Sequence, residues 1–292
     1  MVKQYSNLYL DARNALMEKE EPQIATMMAR SILCHVTGKT RESILMDREA
    51  MATEEECAAM DQCLQRLLKG EPLAYVLGEW DFYGMKLYVN EHTLIPRDDT
   101  CAVASLAINQ GIFLDKDPRI LDLCCGTGCI GLAVASRIKD ARVTLADISK
   151  EALAVAKKNI TLNKLSGRVS CVQADAMDEP SAFLGKFDMI VSNPPYISGA
   201  EMKELPDSVR DHEPPLALYG GEDGLDFYRS ISHKYRAALK PGGYICFEFG
   251  EDQGDDICAI LEDNGYTVLE RVKDFNDTER AVLAQYGRKD DV

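Results

Sequence analysis

The stretch "FDMIVSNPPYIS", Phe187 to Ser198, runs an apolar strand straight into an Asn, two prolines and a Tyr. Proline has no N–H to give a ladder, so the strand must end at Asn193. Pro194 bars that Asn from a helical conformation, and Pro195 stiffens the chain leading into Tyr196. The expected result is a rigid extended corner. Its Asn193 side-chain carbonyl, Pro194 backbone carbonyl and Tyr196 ring would face a cleft. Two fixed acceptors each take one hydrogen of a planar NH₂ group, and an aromatic face stacks on its π-system. A primary amide or an aromatic amine fits such a corner, and by this chemistry alone adenine, cytosine and glutamine are equal candidates.

Such a corner needs a scaffold, and the chain from Thr100 onward supplies one. "RILDLCC", "VTLAD", "VSCVQAD", "FDMIVSN" and "GYICFEFG" read as buried strands, with amphipathic segments such as "SKEALAVAKKNITLNK" between them. That alternation predicts right-handed βαβ units and a parallel sheet covered on both faces. "YTVLERVKD" and "ERAVLAQYG" are joined by a short loop and so should pair antiparallel at the sheet edge. The whole is an α/β, Rossmann-like sheet that resembles the fold of S-adenosylmethionine-dependent methyltransferases.

Ahead of it, "TEEECAAMDQCLQRLLKGEP" opens with Thr53 three residues before Glu56, a capping-box pattern, and "QIATMMARSILCHVTG" offers an apolar face that stops at Gly38. Short helices of this kind bury their faces only by packing together, which predicts a small N-terminal bundle. Trp80, Phe82, Met85, Leu87 and Val89 flank a Tyr83-Gly84 turn and predict a β-hairpin. The expected division is a helical unit over 1–77, a hairpin linker over 78–97 and a catalytic domain over 98–292.

Ligands of open α/β sheets lie beyond the carboxyl ends of the strands. The first strand there leads into "CCGTG", where Cys124, Cys125, Gly126, Thr127 and Gly128 form a loop whose glycines let backbone approach a ligand. Asp147 ends "VTLAD" and could accept both ribose hydroxyls of an adenosine. Asp175 ends "VSCVQAD", where it could take the adenine amine with Ala176 beside the ring. A dinucleotide is the competing ligand, but a Cys occupies the first glycine position of its GxGxxG fingerprint, and no pyrophosphate cradle is evident. Cys124, Cys125 and Cys129 have no second ligand pair at metal spacing and read as small-residue packing, so no metal is expected.

Bulk properties narrow the partners. The 292 residues carry a formal net charge of -15, which repels nucleic-acid backbone and anionic lipid. The start of the chain has no apolar run fit for a signal peptide, and no stretch is fit to span a bilayer, so a cytoplasmic protein is expected; a monomer is the separate expectation for its assembly. The ten cysteines are scattered through apolar elements rather than set out as a disulfide framework. His35, His92, His212 and His233 are too dispersed for a metal site, although His212 in "VRDHEPP" could line the cleft. Gly220 to Gly224, "GGEDG", reads as a loop before a helix near Leu225, either a lid or a plain turn. Lys289, Asp290 and Asp291 read as a solvated end.

With these motifs in place the sequence closely resembles the release factor glutamine N5-methyltransferases, the PrmC/HemK family. "GEPLAYVLGEWDFYG", "LIPRDDT", "DLCCGTGCIGL", "FDMIVSNPPYI", "VRDHEPPLALYGGEDGLDFYRSI", "LKPGGYICFEFGEDQ" and "KDFNDTERAVLA" carry the likeness along nearly the whole chain. The resemblance implies that Asn193, Pro194, Pro195 and Tyr196 bind the target glutamine, with Asn193, Pro194 and Tyr196 catalytic. It also implies that Cys124 to Gly128, Asp147, Asp175, Ala176 and Asn193 surround S-adenosylmethionine. The partners it implies are release factors, entering through their Gly-Gly-Gln loop and held by the helical unit, while the acidic charge argues against direct nucleic-acid contact. Cys124 stands where the family has glycine, and Asp98-Asp99 where it has Pro-Glu. Ala176 stands where it often has a large aromatic. A ribosomal-protein glutamine, a nucleic-acid adenine or a non-catalytic ligand site are the rival readings.

Overall fold

The computed structural model describes residues 2–287; Lys289, Asp290 and Asp291 lie outside them. The first helices are α1 (Tyr5–Leu16), α2 (Pro22–Thr37), α3 (Arg41–Met46), α4 (Glu54–Leu68) and α5 (Leu73–Leu77). The predicted box opens α4: Thr53 Oγ1 accepts the Glu56 N–H at 3.1 Å, and the Glu56 carboxylate accepts the Thr53 N–H at 2.8 Å. At the end of α2, Gly38 turns left-handed with φ of 63°, which closes the helix. Leu8, Ala12 and Leu16 of α1, Ala29, Ile32 and Leu33 of α2, and Met60 and Leu67 of α4 are buried where these helices pack. Residues up to Gly78 form one compact unit together with Asp207–His212. Glu79–Pro206 and the residues from Glu213 onward form the second.

In the second unit, β1 (Glu79–Phe82) and β2 (Met85–Tyr88) make the predicted antiparallel hairpin. Tyr83 and Gly84 turn it with φ of 51° and 77°, the two positive values a tight hairpin turn needs. Next in the chain are α6 (Cys101–Gly111), β3 (Arg119–Leu123), α7 (Cys129–Arg137), β4 (Arg142–Asp147), α8 (Lys150–Leu162), β5 (Val169–Gln173) and β6 (Phe187–Ser192). A short helix of the first unit, α9 (Asp207–Arg210), interrupts the series. After it come α10 (Asp226–Lys234), β7 (Leu239–Glu248), α11 (Gly254–Asp263), β8 (Tyr266–Lys273) and β9 (Glu279–Tyr286).

The seven-stranded sheet has the order β5-β4-β3-β6-β7-β9-β8. The first five strands in that order are parallel and β8 pairs antiparallel with β9, as the sequence predicts, while β9 also runs antiparallel to β7. Its two faces are covered by separate apolar layers. Val103, Leu132, Val134 and Leu145 lie on one side, and Tyr228, Ile231, Phe247 and Ile257 on the other. One strand is shorter than expected: β5 ends at Gln173, not Asp175. Its neighbour, β4, ends at Asp147, whose carbonyl takes the Ala174 N–H at 3.0 Å, and the ladder between the two strands goes no further.

A buried amide ties the hairpin to the sheet. Asn159 of α8 is fully buried; its Oδ1 accepts the Tyr88 N–H at 2.6 Å, and its Nδ2 donates to Tyr88 O and Thr127 O, each at 3.0 Å. Removing it strands three backbone groups. Asn159→Ala is expected to lower the unfolding free energy by about 2–4 kcal/mol, read as a shift in the urea midpoint at constant slope; a change below about 0.5 kcal/mol would refute this role.

Candidate active site

The order of the strands reverses between β3 and β6, and at such a point two neighbouring loops leave the sheet in opposite directions and open a crevice. The register pairs Leu123 with Ser192, and Ser192 Oγ donates to Leu123 O at 2.6 Å. The loop starting at Cys124 and the corner starting at Asn193 are therefore side by side.

Hydrogen bonds fix the first of these loops. Cys125 N–H donates to Ala146 O at 3.0 Å, Gly126 N–H to Asp147 Oδ2 at 2.8 Å, and Gly128 N–H to Cys125 O at 2.7 Å. Gly128 has φ of 80°, and a Cβ on it would lie 2.7 Å from Leu145 Cδ1, so glycine is required there. A Cβ on Gly126 would meet nothing within 4 Å. The backbone there borders open space. Cys124 also sits in the left-handed region, with φ of 60°, a conformation that strains any residue with a Cβ. Thr127 is buried, with its carbonyl held by Asn159.

Beyond β4, the Asp147 carboxylate also accepts the Ser149 N–H through Oδ1 at 2.9 Å. Burial raises its pKa, and the Ser149 and Gly126 N–H groups oppose the rise. Asp175 lies in the loop after β5, its Oδ1 accepting the Met177 N–H at 2.7 Å and its backbone carbonyl the Tyr235 hydroxyl at 2.9 Å. Ala176 is buried in the apolar layer under α10, with its carbonyl accepting from Ser230 Oγ at 2.9 Å.

At the corner, Pro194 and Pro195 are buried and Asn193 and Tyr196 half-buried. Among the described residues nothing donates to the Pro194 carbonyl. The Gly220 to Gly224 loop is the corner's support. Ile197 N–H donates to Leu218 O and Gly220 N–H to Ile197 O, each at 2.9 Å. A Cβ on Gly220 would come within 2.6 Å of Pro195 O, and one on Gly224 within 2.3 Å of Tyr196 O. Gln253 Nε2 adds a bond to Tyr196 O at 3.0 Å, and the Tyr196 ring lies against Gly250. Burial and the nearby Glu248 carboxyl push the Tyr196 phenol up to about 12.

Several further polar residues are buried or half-buried. Glu248 ends β7 and is buried beside Thr100 and Asn193; burial raises its pKa to about 8, opposed by Thr100, Arg280 and Asn193. Thr100 Oγ1 and Glu248 Oε2 nevertheless lack a partner in hydrogen-bonding geometry among the described residues. Glu213 is buried in the second unit, its carboxylate pairing with Arg97 and accepting the Ile95 N–H at 3.1 Å. Asp122 is buried under the glycine loop, with Oδ2 accepting the Gly131 N–H at 2.8 Å and its pKa raised to about 7 by burial. Arg280 bonds Asp274 at 3.1 Å and stands 3.8 Å from Asp99. His212 belongs to the first unit, with Nε2 3.7 Å from where a Cβ on Gly70 would lie.

Known proteins share both the sequence and the architecture. The PrmC N-terminal domain matches residues 7–78 and the Methyltransferase small domain residues 104–207. A release factor glutamine methyltransferase of Clostridium acetobutylicum is 38% identical over 88% of this chain and 90% of its own length. The one from Chlorobaculum tepidum is 36% identical over 90% of each. The chain belongs to the release factor glutamine methyltransferase family. Two solved structures share its fold: a methyltransferase from Pyrococcus furiosus (19% identity, TM-score 0.51, 78% of this chain and 99% of that one) and the hMettl16 catalytic domain in complex with MAT2A 3'UTR hairpin 6 (16%, 0.56, 84% and 87%).

The site suits S-adenosylmethionine, the family's cofactor. The open space over Gly126 leaves room for a ligand against backbone, and the half-buried Asp147 carboxylate next to it keeps acceptor capacity beyond its two N–H donors.

The strained loop and the buried acids can each be tested by stability measurements. Cys124→Val, β-branched at positive φ, should cost about 1–3 kcal/mol, whereas Cys124→Gly should range from neutral to about 1 kcal/mol more stable; thermal unfolding giving the reverse order would refute the strain. Asp122 and Glu248 are raised from ordinary values of 3.8 and 4.5, so between those values and about 7 and about 8 the fold holds protons that the unfolded chain has released. Their contribution is full below the unfolded values and is lost as pH rises through the folded ones. The unfolding midpoint should therefore fall less between about pH 5 and 8 in Asp122→Asn or Glu248→Gln than in wild type; equal slopes would refute it.

Proposed function

We propose that this chain transfers the methyl group of S-adenosylmethionine to the side-chain amide nitrogen of the Gly-Gly-Gln glutamine in peptide chain release factors. One observation carries the reading: a proline-stiffened Asn193 corner, whose Pro194 carbonyl has no donor among the described residues, stands at the strand-order reversal directly beside the open glycine loop. The names and the extent of the relatives' likeness support glutamine over adenine, and the net charge of -15 opposes an extensive nucleic-acid footprint.

When bound, S-adenosylmethionine supplies an electrophilic methyl carbon. Cys124 to Gly128, Asp147, Asp175, Ala176 and Asn193 hold the cofactor in this reading. Asn193 Oδ1 and Pro194 O each accept one hydrogen of the substrate amide, while Pro195 keeps the two acceptors at fixed separation and Tyr196 covers the amide plane. Accepting both hydrogens increases electron density on a nitrogen whose lone pair is otherwise delocalised, and holds that lone pair in one direction. A strong base is not needed, because the proton becomes acidic only as the new bond forms. The helical unit, residues 1–77, docks the release factor, with the hairpin region 78–97 leading to the catalytic residues 98–292.

Incubation of the protein with labelled S-adenosylmethionine and a release factor should place one methyl group on the peptide containing the Gly-Gly-Gln glutamine. Asn193→Ala should lower transfer by about 10²-fold or more, a loss much larger than its loss of cofactor affinity. Label in RNA or DNA instead of protein, or equal loss of binding and turnover, would overturn the reading.

A further inference from the structure

An Asn side chain has two ends of the same shape, and only its carbonyl end can accept a hydrogen from the substrate. Flipped, it would set NH₂ against NH₂. Both β6 and β7 run parallel with Ser192 paired to Phe247, so the next residue of each, Asn193 and Glu248, come level at the carboxyl edge of the sheet. Glu248 is only 2% exposed, and its backbone is pinned by the Tyr228 hydroxyl, which donates to Glu248 O at 2.8 Å. Its Oε2 has no partner among the described residues. This is a buried acceptor with unused capacity next to an amide that must choose a direction.

We propose that Glu248 is a positioning residue which turns the Asn193 amide so that its oxygen faces the substrate. The proposal rests on the reading of Asn193 as the group that holds the target amide. An ionised carboxylate can only accept, so it draws the Asn193 Nδ2–H and leaves Oδ1 for the cleft. A protonated carboxyl can also donate to Oδ1, and the preference is lost. Positioning should then track the charge of Glu248, whose pKa burial raises to about 8. Arg280 facing it favours the charged form and Asp99 opposes it. Tyr196, Tyr228, Cys101 and Cys129, which also feel its charge, are all pushed upward by burial. They stay neutral where Glu248 titrates.

The test uses the full chain, a release factor and S-adenosylmethionine, with kcat/KM measured from about pH 6 to 10. Wild type should gain activity through a limb near 8. Glu248→Gln should lose that limb and run about tenfold slower at the alkaline end, with cofactor affinity within about twofold. Glu248→Asp should keep a titrating limb at reduced rate, which separates charge from folding. In Asn193→Asp both side-chain ends accept, so orientation no longer matters and adding Glu248→Gln should cause no further loss. The same limb in Glu248→Gln, or the same tenfold penalty in the Asn193→Asp background, would overturn the assignment. Wild type that methylates no release factor would instead overturn the underlying function, a result visible before any variant is made.

Discussion

The pairing of β3 with β6 is the constraint on which the site depends. These two strands are neighbours in space but far apart in sequence, and Ser192 Oγ locks their ends together at Leu123. That contact brings a glycine loop able to border a ligand next to a proline corner able to hold an amine. Neither segment would be worth much alone. A loop with positive φ angles is common, and a proline turn after a strand is commoner.

Around that pairing the molecule invests in rigidity. The corner is held from beneath by glycines whose missing Cβ atoms let Gly220 and Gly224 press against Pro195 and Tyr196, and by Gln253 from the turn into α11. Asn159 plays the matching part for the glycine loop, linking Thr127 to the hairpin. Such bracing is what an amide substrate demands, because a feeble nucleophile gains little from bases and much from close placement of its two hydrogens. The acids whose pKa burial raises, Asp122 and Glu248, lie at the edge of the same region and add a cost that the packed apolar layers must offset.

Features set by local rules were legible in the sequence. The Thr53 box, the Gly38 stop, the Tyr83-Gly84 turn and the strand ending before Asn193 each depend on a few adjacent residues and emerged as expected. The segment "VSCVQAD" sets Asp175 at a strand end by its sequence, but strand length is set by the neighbouring strand, which stops earlier. Glu248, Gln253, Glu213 and the tight glycines were not legible, since their partners lie far off in the chain. Asn159 did leave a trace: a lone amide on the apolar face of α8, among Leu153, Ala156 and Ile160.

The hexapeptide Asp207–His212 packs with the amino-terminal helices although both its flanks belong to the second unit, and this bears on how the protein can be taken apart. The backbone therefore passes from one unit to the other not once but three times. A fragment ending at Gly78 would lack a piece of its own fold, and the remainder would carry six residues with nothing to rest on. An exchange of that amino-terminal piece alone would leave the distant hexapeptide facing a surface it was not shaped for.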